Sequence, residues 1–167
     1  LKKSQSQGPV IEILEELVEE DNQAFPSALP VRREVDHRAW ITIQIGCDNT
    51  CTYCIVPSVR GPEISRPFGQ LLDEARNFAD QGVTEITLLG QNVNSYKANG
   101  VDFVELLHRM DELDGLQRLR FTSPHPKDFH EKLAEAIASL PSLCEQLHLP
   151  LQSGSDRILH RMRRWYT

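Results

Sequence analysis

Strand-length apolar runs alternate four times with stripes of helical period along this chain. That order restricts the fold more than any other feature. Ala39 to Gly46 predicts a first strand, with Trp40 or Ile41, Ile43 and Ile45 marking its apolar faces. Leu71, Leu72, Ala75, Phe78 and Ala79 share a helical face that stops at Gly82. Glu85 to Leu89 predicts a second strand. Asp102 with Glu105 has the form of a capping box, and Phe103, Leu106, Leu107, Met110 and Leu113 follow as the next stripe. Arg118 to Phe121 reads as a third strand. Phe129, Leu133, Ala136, Ile137 and Leu140 make a third helix closed by Pro141. Gln146 to Leu149 reads as a fourth strand, and Ser155 is placed to cap a helix carrying Ile158, Leu159 and Met162. Parallel neighbours need long return connections, so the order calls for a parallel sheet with right-handed crossover helices. The expected class is α/β: a partial parallel (β/α) barrel, truncated after about four βα units. A complete eight-stranded barrel takes about 250 residues, far more than lie between 37 and 167.

Ligand sites in such sheets lie where the strands' carboxyl ends meet the loops. The oddly composed polar stretches all fall there, at 47–66, 90–96, 122–126 and 150–155. The first carries Cys47, Cys51 and Cys54 in a Cys-x3-Cys-x2-Cys spacing. Three thiolates can hold three corners of a cubic iron–sulfur cluster and leave the fourth iron open to a substrate or cofactor. S-adenosylmethionine, bound there by its amino and carboxylate groups, would accept one electron and release a 5′-deoxyadenosyl radical. The competing reading is zinc, which takes four ligands in structural sites, usually as two pairs. Here the fourth cysteine, Cys144, lies far downstream. It is expected at the amino end of the fourth strand as a small buried apolar residue. His37 or His148 could complete a zinc site, though their spacing does not recommend it.

The net charge of −6 supplies no global basic field for nucleic acid, so any RNA contact needs a local patch or another domain. No stretch approaches the roughly 20 apolar residues of a membrane span. Leu1 to Val10 lacks the hydrophobic centre of a signal peptide, and clustered cysteines do not form a secreted disulfide framework. Ile11 to Asp21 predicts an acidic amphipathic surface helix, and 22–36, with Pro26 and Pro30, an extended linker. The absent initiator methionine suggests a piece of something longer.

The stretch from Gly46 to Pro57 resembles the signature of the radical S-adenosylmethionine methylthiotransferases. The resemblance continues through Ser58 to Gly61, Glu63 to Pro67, Leu89 to Tyr96, Phe121 to Pro126 and His148 to Asp156. It covers roughly residues 25 to 167. The Gln91-to-Tyr96 stretch favours the bacterial tRNA branch, which acts on N6-isopentenyladenosine beside the anticodon, over the branch that modifies a ribosomal-protein aspartate.

The resemblance implies a radical-generating 4Fe–4S cluster on Cys47, Cys51 and Cys54, with S-adenosylmethionine as cofactor. It places Tyr53 against the cofactor's adenine, the alternative being a hydrophobic plug under the loop. It places Gly90, Gln91 and Asn92 at the methionine end, and Ser123 and Gln152 on the third and fourth rims. It further implies a cytoplasmic enzyme off the membrane, with tRNA and an electron donor such as a flavodoxin or ferredoxin as partners; the oligomeric state is left open, a monomer being favoured. Residues 1–36 would be the tail of an upstream domain plus linker, and 37–167 part of the radical core. Relatives of this family carry three more cysteines upstream for a second cluster, and a small RNA-binding domain downstream. No cysteine precedes Cys47 here, so this stretch alone is not expected to complete methylthiolation. The rivals are the ribosomal-protein enzyme and, from another class, a zinc-stabilised binding module without catalysis.

Three smaller features complete the reading. Arg60 and Arg66 could meet phosphate or a cofactor carboxylate, or pair with Glu63. His125, held between Pro124 and Pro126, is expected to pack a loop. Arg157, Arg161, Arg163 and Arg164 are expected to form the outer face of the last helix, with Trp165 and Tyr166 meant for a core beyond it.

Overall fold

The computed structural model of the chain describes residues 35–167. The amphipathic helix expected at 11–21, and all but the last two residues of the linker expected at 22–36, lie outside them. At the centre is a three-stranded parallel sheet of β1 (Arg38–Thr42), β4 (Glu85–Leu89) and β7 (Arg118–Phe121), in the order β1-β4-β7, with β5 (Lys97–Ala98) and β6 (Val101–Asp102) forming a separate antiparallel pair. Its register aligns Ala39 with Ile86 and Ile86 with Leu119, then Ile41 with Leu88 and Leu88 with Phe121. These six side chains share one face because neighbours in register point the same way, and all six are buried.

Helices α2 (Phe68–Asp80), α3 (Phe103–Asp111) and α4 (Glu131–Ser139) supply the other half of the core. Their periodic stripes do this as the sequence reading required: Leu71, Leu72 and Ala75, then Phe103, Leu106, Leu107 and Met110, then Leu133. Asp102 caps α3 by accepting the Glu105 N–H at 2.9 Å, while the Glu105 carboxylate turns to Arg109. The opposite sheet face is polar. The row Arg38, Glu85, Arg118 buries the Glu85 carboxylate among Arg38, Arg118 and Arg120 at 3.3, 3.8 and 3.4 Å. Trp40, on the same side, is 64% exposed.

Four expectations need correction. The first strand does not run unbroken from Ala39 to Gly46. It breaks at Ile43, and β2 (Gln44–Ile45) turns away to pair antiparallel with β3 (Ile64–Ser65). The fourth strand is not formed at Gln146–Leu149. The backbone of this segment meets β7 at a parallel bridge between Leu143 and Leu119, where the Leu119 N–H reaches Ser142 O and the Cys144 N–H reaches Leu119 O. Cys144 is accordingly half-buried rather than buried. The described part is an open parallel sheet, in keeping with the partial, unclosed barrel expected. Ser155 does precede α5 (Asp156–Arg161), but its side chain makes no capping hydrogen bond.

Candidate functional site

The cysteine loop is closed by its own flanks. Because β2 and β3 pair, the loop between them starts and ends at one place, with the Cys47 N–H bonded to Gly61 O and the Arg66 N–H to Ile43 O. Gly46 makes the turn possible. It has φ +73, and a β-carbon there would sit 1.9 Å from the Pro62 carbonyl oxygen. Short helix α1 (Val56–Arg60) lies within the loop, after Cys54 and before Gly61.

Cys47, Cys51 and Cys54 all line one cavity of about 430 Å³, together with Asn49, Gly61 and Arg163. Cys47 is buried, Cys51 half-buried and Cys54 exposed, so the sulfurs grade from interior to mouth. Burial pushes the Cys47 thiol up, opposed by its hydrogen bond from Asn49 Nδ2 at 3.5 Å. Metal coordination would hold that sulfur as thiolate against this cost. Among the described residues, no three His, Cys, Asp or Glu side chains converge tightly enough for a single ion. A cubic cluster asks only that three soft sulfurs face a common space, and this cavity offers that.

The loop after β4 is tied to the cysteine loop by a chain of polar contacts. Gln44 Nε2 donates to Ser95 Oγ at 3.0 Å, Ser95 Oγ donates to Glu63 at 2.8 Å, and the Glu63 N–H donates to Asp48 Oδ1 at 2.9 Å. Burial raises the Glu63 carboxyl above its ordinary range, offset in part by the Ser95 bond. Gly90 has tight surroundings: an added β-carbon would lie 3.2 Å from Val93 and 3.3 Å from Gln44 O. Asn92 is buried and donates to Asp128 at 2.8 Å. Asn94 exchanges two hydrogen bonds with the His125 backbone, at 2.9 and 2.7 Å, and the Tyr96 hydroxyl donates to Arg66 O at 2.8 Å. The run from Asn92 to Tyr96 thus fastens three rim loops together. The side-chain oxygens of Gln44, Gln91 and Asn92 and the Nε2 of His125 are buried without a protein partner. They are groups a polar ligand or water would satisfy.

The remaining expected site residues are placed unevenly. Tyr53 is 51% exposed, so it is not a plug under the loop. Ser123 and Gln152 are exposed and hold left-handed backbone, with φ +59 and +70, but neither lines the cysteine cavity. Arg66 is buried and pairs with Glu74, not Glu63, while Arg60 remains exposed. His125 does pack a loop, as expected: its Nδ1 accepts the Lys127 N–H, and burial lowers its pKa to about 4. The arginine cluster departs from expectation. The helix ends at Arg161, and Arg164 is 5% exposed, with Nη1 3.6 Å from Cys51 Sγ. No local spacing connects positions 51 and 164, so sequence reasoning could not find this contact.

Residues 41–167 match the description of the Radical SAM superfamily. The chain belongs to the radical SAM superfamily. Its cofactors are accordingly those of that superfamily, a 4Fe–4S cluster and S-adenosylmethionine. Similar proteins include the tRNA-2-methylthio-N(6)-dimethylallyladenosine synthase of Mycobacteroides abscessus, 53% identical over 165 residues, covering 93% of this chain and 32% of that protein. The protein of the same name from Frankia alni is 55% identical over 147 residues, covering 86% of this chain and 30% of its own length. This radical SAM chain thus spans about a third of the curated relatives it matches. In fold it is similar to the radical S-adenosylmethionine methyltransferase TsrM of Kitasatospora setae. The TM-score is 0.62 at 18% identity, over 79% of this chain and 26% of that one. No helix among the described residues is long and apolar enough to cross a membrane.

Proposed function

We propose that this chain is part of the radical core of an enzyme that methylthiolates C2 of N6-isopentenyladenosine beside the anticodon of tRNA. The observation that carries the reading is the single cavity shared by Cys47, Cys51 and Cys54, in a chain about half identical to proteins named for that reaction. In this reading the three thiolates hold the 4Fe–4S cluster. With S-adenosylmethionine bound, that group would supply the one electron that breaks the cofactor's carbon–sulfur bond, the radical chemistry by which hydrogen would be taken from the adenine C2.

The protein's own residues position and shield. Cys47 anchors the cluster from the buried side, and Cys54 at the mouth leaves room for the cofactor. Gly90 allows backbone close to the cofactor's methionine end, where the unpaired oxygens of Gln91 and Asn92 would meet its ammonium group. Tyr53, half-exposed, would meet its adenine, and Ser123 and Gln152 would approach from the neighbouring rims. Residues 1–36 would be the end of an upstream domain that holds the second cluster, and 37–167 part of the core. The partners would be tRNA and a cytoplasmic electron donor such as a flavodoxin or ferredoxin, and the working form a monomer.

The test uses the longer protein carrying this chain, offered hypomodified tRNA and ribosomes separately with S-adenosylmethionine, a sulfur source and reductant. Mass spectrometry of nucleosides should show the methylthio group on the isopentenylated adenosine. Modification of a ribosomal-protein aspartate instead would overturn the tRNA reading.

A further inference from the structure

Arg164 follows the end of α5 yet is 5% exposed, and each arm of its guanidinium has a partner. Nη2 donates to Pro150 O at 2.8 Å, Nε donates to the Tyr166 hydroxyl at 3.2 Å, and Nη1 lies 3.6 Å from Cys51 Sγ. The Tyr166 ring lies beneath the guanidinium, 5.3 Å from centroid to carbon, and its hydroxyl donates to Leu151 O. The backbone is bent to hold this geometry: Arg163 and Trp165, on either side, have φ of 54 and 52. Left-handed conformations are costly for such residues and persist only where the surroundings fix them. The cysteine loop is fastened to the same turn, with the Thr52 N–H donating to Met162 O at 3.2 Å. A buried cation needs a counter-charge, and no carboxylate is among the contacts described for Arg164. Cys51 as thiolate is the anion its Nη1 faces.

We infer that Arg164 is a positioning residue for the cluster. It fixes the Cys51 sulfur through a charge-assisted hydrogen bond and raises the cluster's reduction potential. The inference rests on the proposed cluster-binding role of the three cysteines. Its physical basis is that the reduced cluster carries one more negative charge than the oxidised one. A fixed cation at a ligand sulfur therefore stabilises the reduced state, and hydrogen bonds to ligand sulfurs are an established lever on potential. The Asn49 bond to Cys47 is neutral, so the effect belongs mainly to the Cys51 corner.

The test is an anaerobic redox titration of the iron-reconstituted chain, followed by electron paramagnetic resonance. Arg164→Gln should lower the midpoint potential so that the reduced-to-oxidised ratio at fixed potential falls roughly tenfold, ~59 mV for a one-electron couple. Arg164→Lys, which keeps the charge, should recover most of that shift. Arg109→Gln, on the exposed face of α3, should leave the potential unchanged. If Arg164→Gln does not fold, Tyr166→Phe serves in its place, since it only loosens the guanidinium and should give a smaller shift of the same sign. A cluster of normal iron content whose potential is unmoved in these variants would overturn the inference while sparing the cluster reading. A parent chain that takes up no iron would overturn both.

Discussion

His125 shows how burial at a single residue becomes a measurable property. Its ring is buried, its Nδ1 is occupied by the Lys127 N–H and its Nε2 has no partner. Burial, with the Arg164 charge adding to it, keeps it neutral down to about pH 4. The unfolded chain takes up that proton near the ordinary histidine value of about 6.5. Between about pH 6.5 and 4 the unfolded state therefore binds more protons, and stability rises with pH across that window. Denaturant titrations should show His125→Gln losing less stability than the parent as pH falls from 6.5 to 4, by roughly 1–3 kcal/mol. Parallel pH profiles for the two would contradict this. At this scale the sequence was legible where partners are close along the chain, as with the three cysteines. It was silent where they are not, as with Arg164 and Cys51, 113 residues apart. Arg66 shows the same limit on a shorter span: proximity suggested Glu63, whereas the fold delivers Glu74 from the next helix.

At the scale of elements, α2, α3 and α4 were readable because each buries a stripe with its own period on the sheet, which needs no knowledge of the neighbours, whereas α1 buries no residue and gave no such signal. Strands gave a poorer reading because a strand exists only where a neighbour completes its hydrogen bonds. Ala39 to Gly46 alternates evenly, but the chain changes partners at Ile43, from β4 to β3, and the alternation cannot reveal that. Gln146 to Leu149 has the pattern of a strand, but no backbone hydrogen bond to β7 forms beyond Cys144. The change of partner at β2 is what closes the cysteine loop, and Gly46 is its pivot. Gly46→Ala would force a β-carbon into the Pro62 carbonyl in left-handed backbone. Gly61→Ala meets only the backbone cost, since no atom lies within 4 Å of its added carbon. Denaturant melts should therefore show Gly61→Ala losing about 1–3 kcal/mol, the cost of an extended positive-φ backbone, and Gly46→Ala clearly more, along with loss of iron uptake by the latter. Equal losses would mean that the tight turn does not anchor the loop.

Across the described molecule, the parallel order brings the loops after β1, β4 and β7 to the strands' carboxyl ends, where the class of fold places its ligands. The Asn92-to-Tyr96 run binds those rims to one another, and the C-terminal segment locks onto the cysteine loop through Thr52 and Arg164. The architecture thus gathers buried polar groups such as Gln44, Gln91, Asn92 and His125 at the carboxyl-end rim and leaves the far sheet face to the Glu85 ion pairs. The central claim is that Cys47, Cys51 and Cys54 hold a cubic cluster with one iron left open. The most direct test is electron paramagnetic resonance of the chain, reconstituted without oxygen and reduced, with and without S-adenosylmethionine. The account predicts about four irons per chain, a signal that changes when the cofactor is added, and loss of both in Cys51→Ala. A chain holding one zinc and no iron, or a cluster whose signal ignores the cofactor, would contradict it.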